Sequence, residues 1–93
     1  MSVYLLDADI TVHTKDYLYL MGVYPSLQDA QVEAARIARK SLEWGDRDTI
    51  SHVYPSWMAL VDVQVTSVEF FNAFWVREIP LGENIYFTEE VYG

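Results

Sequence analysis

Residues 17–45 read YLYLMGVYPSLQDAQVEAARIARKSLEWG, and the pattern of apolar residues changes once inside this stretch. Its first eight residues are apolar at both odd and even positions apart from Gly22, which is typical of a central β-strand covered on both faces. Pro25 then ends the strand, and Ser26 supplies a side-chain oxygen of the kind that caps the first turn of many helices. The sequence therefore predicts a strand that leads directly into a helix.

The predicted helix runs from Leu27 to Trp44 and is stopped by Gly45, a residue type that often follows the last helical turn. With about 3.6 residues per turn, its apolar side chains except Val32 fall on one half of the helix and most charged side chains on the other. The apolar half contains Leu27, Ala30, Ala34, Ala35, Ile37, Ala38, Ser41, Leu42 and Trp44. The helix is therefore amphipathic, and its many alanines predict close packing on one face of a sheet.

Alternation of apolar and polar residues predicts the strands on either side of the helix. Residues 67–72 fit either a helical turn or a strand, and residues 83–93 fit either a fifth, edge strand or a flexible tail. The predicted strands are residues 3–12, 17–24, 57–66 and 73–79, the first two joined by a polar hairpin loop at 13–16. We therefore predict one α+β domain over residues 1–93 with the order β-β-α-β-β. Its antiparallel or mixed sheet has four or five strands, and one long amphipathic helix covers one face.

Six basic residues stand against fourteen acidic ones, which gives a formal net charge of −8. This charge disfavours direct binding to nucleic acid or to an anionic membrane, because such affinity comes largely from lysine and arginine side chains at phosphate groups. The chain contains no cysteine, which excludes disulfides, thiol nucleophiles and thiolate metal sites. We expect neither a signal peptide nor a membrane span, and therefore a cytoplasmic protein, in the host cell if a phage encodes it.

The run GVYPSLQDA at residues 22–30 resembles the strand-to-helix junction of small uncharacterised domains in phage and bacterial genomes, with the pattern Gly-Val-Tyr-x-Ser-x-x-x-Ala. Those domains also begin with a Val-Tyr strand, here residues 3–4, and end near a strand similar to VREIPL at residues 76–81. The resemblance covers about two thirds of the chain, and residues 45–56 and 70–75 depart from it. It implies a β-β-α-β-β fold and no activity, because none is assigned to those domains.

The sequence has no recognisable catalytic motif, since it lacks both a Gly-x-Ser-x-Gly nucleophile turn and a glycine-rich phosphate loop. We therefore predict no enzymatic activity and no cofactor. The alternative is a small-molecule or divalent-metal site at Asp7, Asp9 and His13. Alternate residues of a strand share one face about 7 Å apart, and hard cations bind carboxylate oxygens. Against this alternative, charged residues at such positions are common on the solvent side of edge strands.

The acidic residues also support a binding hypothesis. If the helix covers one face of the sheet, Asp7, Asp9 and Asp62 could line the other, where carboxylates about 7 Å apart resemble a phosphate backbone. Such a surface would enter the basic or nucleic-acid-binding cleft of a protein partner, with no direct contact to nucleic acid. This hypothesis predicts a DNA mimic, such as a phage protein that inhibits a host defence complex as anti-CRISPR or anti-restriction proteins do.

Aromatic residues make up 15% of the chain, which is a high share for so small a domain. Tyr17, Tyr19, Phe74 and Trp75 belong to an excess beyond what one helix on one sheet needs, and tyrosine and tryptophan are favoured where proteins bind each other. Core packing or a homodimer seam would also account for these aromatic residues. The preferred interpretation is a non-enzymatic protein–protein interaction domain that forms a homodimer.

Overall fold

A computed structural model gives the structure of residues 1–48 and 53–82. The elements within those residues are β1 (Ser2–Val12), β2 (Lys15–Tyr24), α1 (Leu27–Ala38), β3 (Ser56–Gln64) and β4 (Glu69–Pro80). The strands form one antiparallel sheet in the order β2-β1-β4-β3, and α1 packs on one of its faces. The predicted α+β class is confirmed, whereas the predicted fifth strand falls in residues 83–93, outside the described residues.

The first two strands form a hairpin whose turn consists of His13 and Thr14 alone. Pairing with β1 already includes Lys15 and Asp16, which therefore belong to β2 rather than to the predicted loop. His13 has a φ of 58°, in the left-handed region that two-residue hairpin turns use. Thr11 Oγ1 donates a hydrogen bond of 2.5 Å to Asp16 Oδ1 across the two strands, which stabilises the register next to the turn.

The helix begins where the sequence predicts. Ser26 has an extended backbone, and its Oγ accepts a hydrogen bond of 3.1 Å from the Asp29 backbone N–H. Ala30, Ala34 and Ala38 follow at helical spacing and are buried against the sheet, where their small side chains allow close packing. The described residues contain no helix that is both long enough and apolar enough to cross a membrane.

The helix ends earlier than predicted, at Ala38 instead of Trp44. Arg39 has a left-handed backbone with φ of 58°, and the Lys40 backbone N–H donates to the Ala35 carbonyl at 3.3 Å, which closes the last turn. Trp44 packs against the core from a non-helical segment. The prediction of one long helix is therefore wrong, because a non-helical segment brings the later apolar side chain to the same core.

The position of β2 also differs from the sequence prediction. Its apolar residues on both faces predict a central strand, but β2 lies at one edge of the sheet and pairs only with β1 among the described residues. The inner place beside β1 is taken by β4, whose Phe74 and Val76 are fully buried. As a result β2 is exposed along most of its length, including Leu18, Leu20 and Val23.

A tight turn joins β3 to β4 in the segment that the sequence leaves ambiguous. The Val65 N–H donates to the Glu69 carbonyl at 2.9 Å. Thr66 Oγ1 accepts hydrogen bonds from the backbone N–H groups of Val68 and Glu69, at 3.2 and 3.0 Å. Residues 69–72 consequently belong to β4, and only the residues before them form the turn.

Candidate binding surface

One face of the sheet is covered by α1, and we call the opposite one the helix-free face. Side chains alternate between the two faces along each strand, so the neighbours of the core residues Leu6 and Phe74 point to the helix-free face. Its residues include Leu5, Asp7 and Asp9 in β1, Asp16, Leu18, Leu20 and Val23 in β2, Ser56, Met58 and Leu60 in β3, and Ala73, Trp75 and Arg77 in β4. Most of these side chains are apolar, which is unusual for a sheet face that no helix covers.

The most exposed apolar side chains of the helix-free face lie at its two outer strands. One row of paired residues crosses all four strands and contains Leu18, Asp9, Ala73 and Leu60. Leu18 and Leu60, at the ends of this row, are each 66% exposed, whereas Ala73 inside it is 5% exposed. Leu20, also on β2, is more than half exposed. The middle of the face is therefore closely packed, and its outer strands carry apolar side chains in solvent.

An ion pair lies in the middle of the helix-free face. Arg77 Nε donates to Asp7 Oδ2 at 2.8 Å, and the Asp7 side chain is 5% exposed against 39% for Arg77. With Leu18 and Trp75, these two residues line a shallow depression of about 400 Å³. The charge of the buried carboxylate is thus compensated by the guanidinium group, and the depression is bounded by apolar side chains.

Asp7, Asp9 and Asp62, the three aspartates predicted to resemble a phosphate backbone, have different surroundings. Asp7 and Asp9 share the helix-free face, but Asp7 is bonded to Arg77, and Asp9 Oδ1 accepts a hydrogen bond of 3.4 Å from Asn72 Nδ2. Asp62 is exposed in a bulge of β3, where its φ is 50°. The two aspartates on the sheet face are therefore bonded within the domain, which differs from the free row of carboxylates that would imitate phosphate groups.

The structure does not support the alternative of a metal site at Asp7, Asp9 and His13. Within residues 1–48 and 53–82, no three His, Asp or Glu side chains lie close enough to hold one metal ion. His13 sits in the hairpin turn, and its backbone N–H donates to the Val68 carbonyl at 2.7 Å. Asp7 instead has a guanidinium partner, which occupies one of the oxygens that a cation would need.

The four aromatic residues that the sequence marks for binding are divided among different places. Tyr17 and Tyr19 lie on the helix side of β2, partly exposed, with ring centroids 5.9 Å apart in a stacked arrangement. Trp75 is half-buried on the helix-free face. Phe74 is fully buried and packs edge-on against Phe71, so the expectation that it is exposed for binding is corrected. Adjacent residues of β4 necessarily point to opposite faces, which separates Phe74 from Trp75.

Sequence reasoning missed the leucines of the outer strands. Residues 57–61 are all apolar, so both faces of this strand are apolar at its beginning. Polar residues occupy the second face only later, at Asp62 and Gln64, after Met58 and Leu60. That departure from strict alternation is the signal for an apolar patch on the helix-free face at β3. In β2 the corresponding signal is that both faces are apolar. The sequence analysis interprets that pattern as a central strand, so the exposure of its leucines is missed.

The outer side of α1 is polar and carries its own ion pair. Arg36 Nε donates to Glu33 Oε1 at 2.8 Å, and a second guanidinium nitrogen contacts Oε2. The hydrogen bond from Arg36 holds the pKa of Glu33 below its usual value of 4.5 and raises the pKa of Arg36. Burial, and to a smaller extent the negative charge of Glu33, raises the pKa of Tyr24 above 10.0. This surface is what a solvated helix face is expected to look like, in contrast to the helix-free face.

The helix-free face combines exposed leucines at both outer strands with a compensated ion pair between them. Exposed apolar side chains bordered by polar residues are typical of protein contact surfaces, and Asp9, Asp16 and Glu43 lie beside these leucines. No protein-family model, curated protein or solved structure matches the chain.

Proposed function

We propose that this chain is a non-enzymatic protein-binding domain that contacts its partner through the helix-free face. The observation that carries the proposal is the exposure of Leu18, Leu20 and Leu60 on a sheet face that α1 leaves uncovered. Burying such side chains against a partner is favourable by about 25 cal/mol for each Å² of apolar surface. Leaving them in solvent contributes nothing to the fold, so binding gives a reason for their presence.

Charge defines the chemistry of the partner. The chain carries a net charge of −8, and Asp9, Asp16 and Glu43 lie beside the leucines of the outer strands. A partner with an apolar patch surrounded by lysine or arginine side chains fits this surface. Long-range attraction between opposite charges accelerates the encounter, while the apolar contact limits dissociation.

A narrower form of the proposal makes the partner a nucleic-acid-binding protein of a host defence system, which the domain would inhibit. Small size and high negative charge support this form. The ion pair between Asp7 and Arg77 argues against close imitation of a phosphate row, so the leucines would contribute to binding together with the carboxylates. In that case binding weakens as salt rises but does not disappear, because the apolar contribution is not screened.

The test is capture of a partner from bacterial lysate by the immobilised domain, followed by variants of the two surfaces. Leu60→Glu and Leu20→Glu, made separately, each place a charge on the helix-free face. Val32→Glu is the matched control, because Val32 is 60% exposed on the outer side of α1. We expect a reproducible partner to bind the unchanged domain and the Val32 variant but neither leucine variant. A partner that binds all three variants equally would remove the helix-free face from the proposal.

A further inference from the structure

The two outer edges of the sheet are built differently. At β3, the Gly45 N–H donates to the Met58 carbonyl at 2.9 Å, and Asp48 exchanges two backbone hydrogen bonds with Ser56, at 2.8 and 2.9 Å. Further along the same strand, a bulge holds Asp62 in a left-handed conformation. A preceding segment of the chain and a charged bulge therefore both prevent another strand from pairing with β3.

The edge at β2 is open over its regular part, from Lys15 to Leu20. Among the described residues, only β1 pairs with it, on the inner side. Its charged residues, Lys15 and Asp16, stand next to the hairpin turn, and from Tyr17 to Tyr24 the strand has no charge and no proline. A bulge leaves Met21 unpaired between Leu20 and Gly22, at the far end of the strand. The segment from Tyr17 to Leu20 before it is a regular, exposed edge with apolar side chains on both faces, which is where strand pairing between molecules takes place.

The hairpin turn determines which backbone groups of β2 point outwards. In a two-residue hairpin, the residues that flank the turn, here Val12 and Lys15, form a hydrogen-bonded pair, and bonded and non-bonded pairs then alternate. Every second residue from Lys15 therefore bonds to β1. The outward N–H and C=O groups belong to Asp16, Leu18 and Leu20.

We propose that two copies of the chain pair through β2, antiparallel about a two-fold axis at Leu18, and form one continuous eight-stranded sheet. Leu18 then lies opposite Leu18 of the partner subunit, and Asp16 lies opposite Leu20 of the partner subunit. All the outward backbone groups of this segment meet hydrogen-bonding partners. β2, whose composition is that of a central strand, becomes a central strand in the pair of molecules.

Charge and side-chain packing fit a second copy of the same chain. Although the whole chain carries a charge of −8, β2 contains one lysine and one aspartate, so the paired segments meet without net repulsion. Tyr17 of each copy faces Tyr19 of the partner subunit, which extends the existing tyrosine stack on the helix side. The leucines cluster on the other side. The inference concerns the chain by itself and does not depend on the proposed function.

The test is the oligomeric state of the purified chain, measured by sedimentation at several concentrations. We expect a species of twice the chain mass of 10.8 kDa for the unchanged protein. Leu18→Lys, which places two like charges opposite each other at the axis, is expected to give a monomer. Leu60→Lys makes the same change at equal exposure on the protected edge and is expected to remain dimeric. Circular dichroism of both variants verifies that each is folded.

A cysteine variant tests the axis directly, because the chain has no cysteine of its own. Residues in a hydrogen-bonded antiparallel pair have Cα atoms about 5.5 Å apart, a separation that a disulfide spans. Leu18→Cys is therefore expected to form a covalent dimer under mild oxidation, and Leu60→Cys to remain mostly monomeric on a denaturing gel. A monomeric unchanged protein would overturn the proposal. Equal cross-linking at the two positions, or equal dissociation of both lysine variants, would overturn the assignment to β2.

Discussion

Leu18 on β2 and Leu60 on β3 stand at opposite ends of one row of the helix-free face, equally exposed, with Asp9 and Ala73 between them. Leu18 belongs both to the proposed partner surface and to the open edge, whereas Leu60 belongs to the partner surface alone. The two residues are therefore a natural pair for separating binding of a partner from association of two copies.

Leu60 is expected to contribute little to folding. Substitution of an exposed leucine usually changes the free energy of unfolding by no more than about 0.5 kcal/mol, so Leu60→Ser should be nearly neutral in urea denaturation. Leu6→Ala is the control of the same residue type, and because Leu6 is fully buried it should cost about 2–5 kcal/mol. A loss of more than about 2 kcal/mol in Leu60→Ser would mean that Leu60 is buried in solution.

Arg39 tests where the helix ends. If the helix ends at Ala38, Arg39 follows it in a left-handed conformation with φ of 58°, which glycine adopts without the strain of a Cβ. Arg39→Gly should then raise the free energy of unfolding by about 0.5–1 kcal/mol. If the helix continued to Trp44, the same glycine would stand inside it and lower that free energy by about 1 kcal/mol. The sign of the change in a denaturant titration therefore distinguishes the two helix lengths.

The matched control for this prediction is Ala35→Gly, one turn earlier. Ala35 lies inside the helix for either length, so its replacement should be destabilising by about 1 kcal/mol in both cases. Opposite signs for the two glycine variants would agree with a helix that ends at Ala38 and is capped by Arg39. Two losses of similar size would contradict that helix end.

The contrast between the two ends of α1 shows what the sequence could predict. The start depends on a local signal, because Ser26 bonds to a backbone N–H three residues later. The end depends on tertiary packing, since Trp44 packs against the core from a non-helical segment although its spacing would also suit a helix. Apolar spacing alone does not distinguish these paths.

The order of the strands in the sheet could not be predicted from the sequence for a related reason. The apolar residues on both faces of β2 predict burial on both sides, but they do not say whether the covering strand comes from the same chain. β4 takes the inner place because Phe74 and Val76 pack under α1. Similarly, alternation predicts that Asp7 and Asp9 share a face, but the guanidinium of Arg77 comes from a strand seventy residues away.

The titration of Glu33 is a direct check on the polar side of α1. Because the hydrogen bond from Arg36 lowers the pKa of Glu33 in the folded state, Glu33 should titrate below 4.5 in carboxyl-detected NMR. In Arg36→Gln its titration should move up towards that value. The associated stability is present above the unfolded pKa and is lost as the pH falls through the folded one. The effect on unfolding is expected to be small, since the Arg36 side chain is 70% exposed and water screens the pair. An unchanged titration in Arg36→Gln would contradict the ion pair.

The ion pair of Asp7 and Arg77 should respond asymmetrically to loss of either member. Arg77→Met leaves an almost fully buried carboxylate without its cation and is expected to lower the free energy of unfolding by about 3–5 kcal/mol. Asp7→Asn leaves a guanidinium that is more than one third exposed and can be hydrated, so its cost should be about 1–3 kcal/mol.

The double variant, Asp7→Asn with Arg77→Met, completes a double-mutant cycle with the two single variants. With both charges removed, no buried ion remains unpaired, so the double variant should be more stable than the sum of the single losses predicts, by about 0.5–3 kcal/mol. Urea denaturation of the four proteins gives this coupling energy. Equal losses in the two single variants, with strict additivity, would mean that the carboxylate of Asp7 does not depend on Arg77. The centre of the helix-free face would then be held by apolar packing alone.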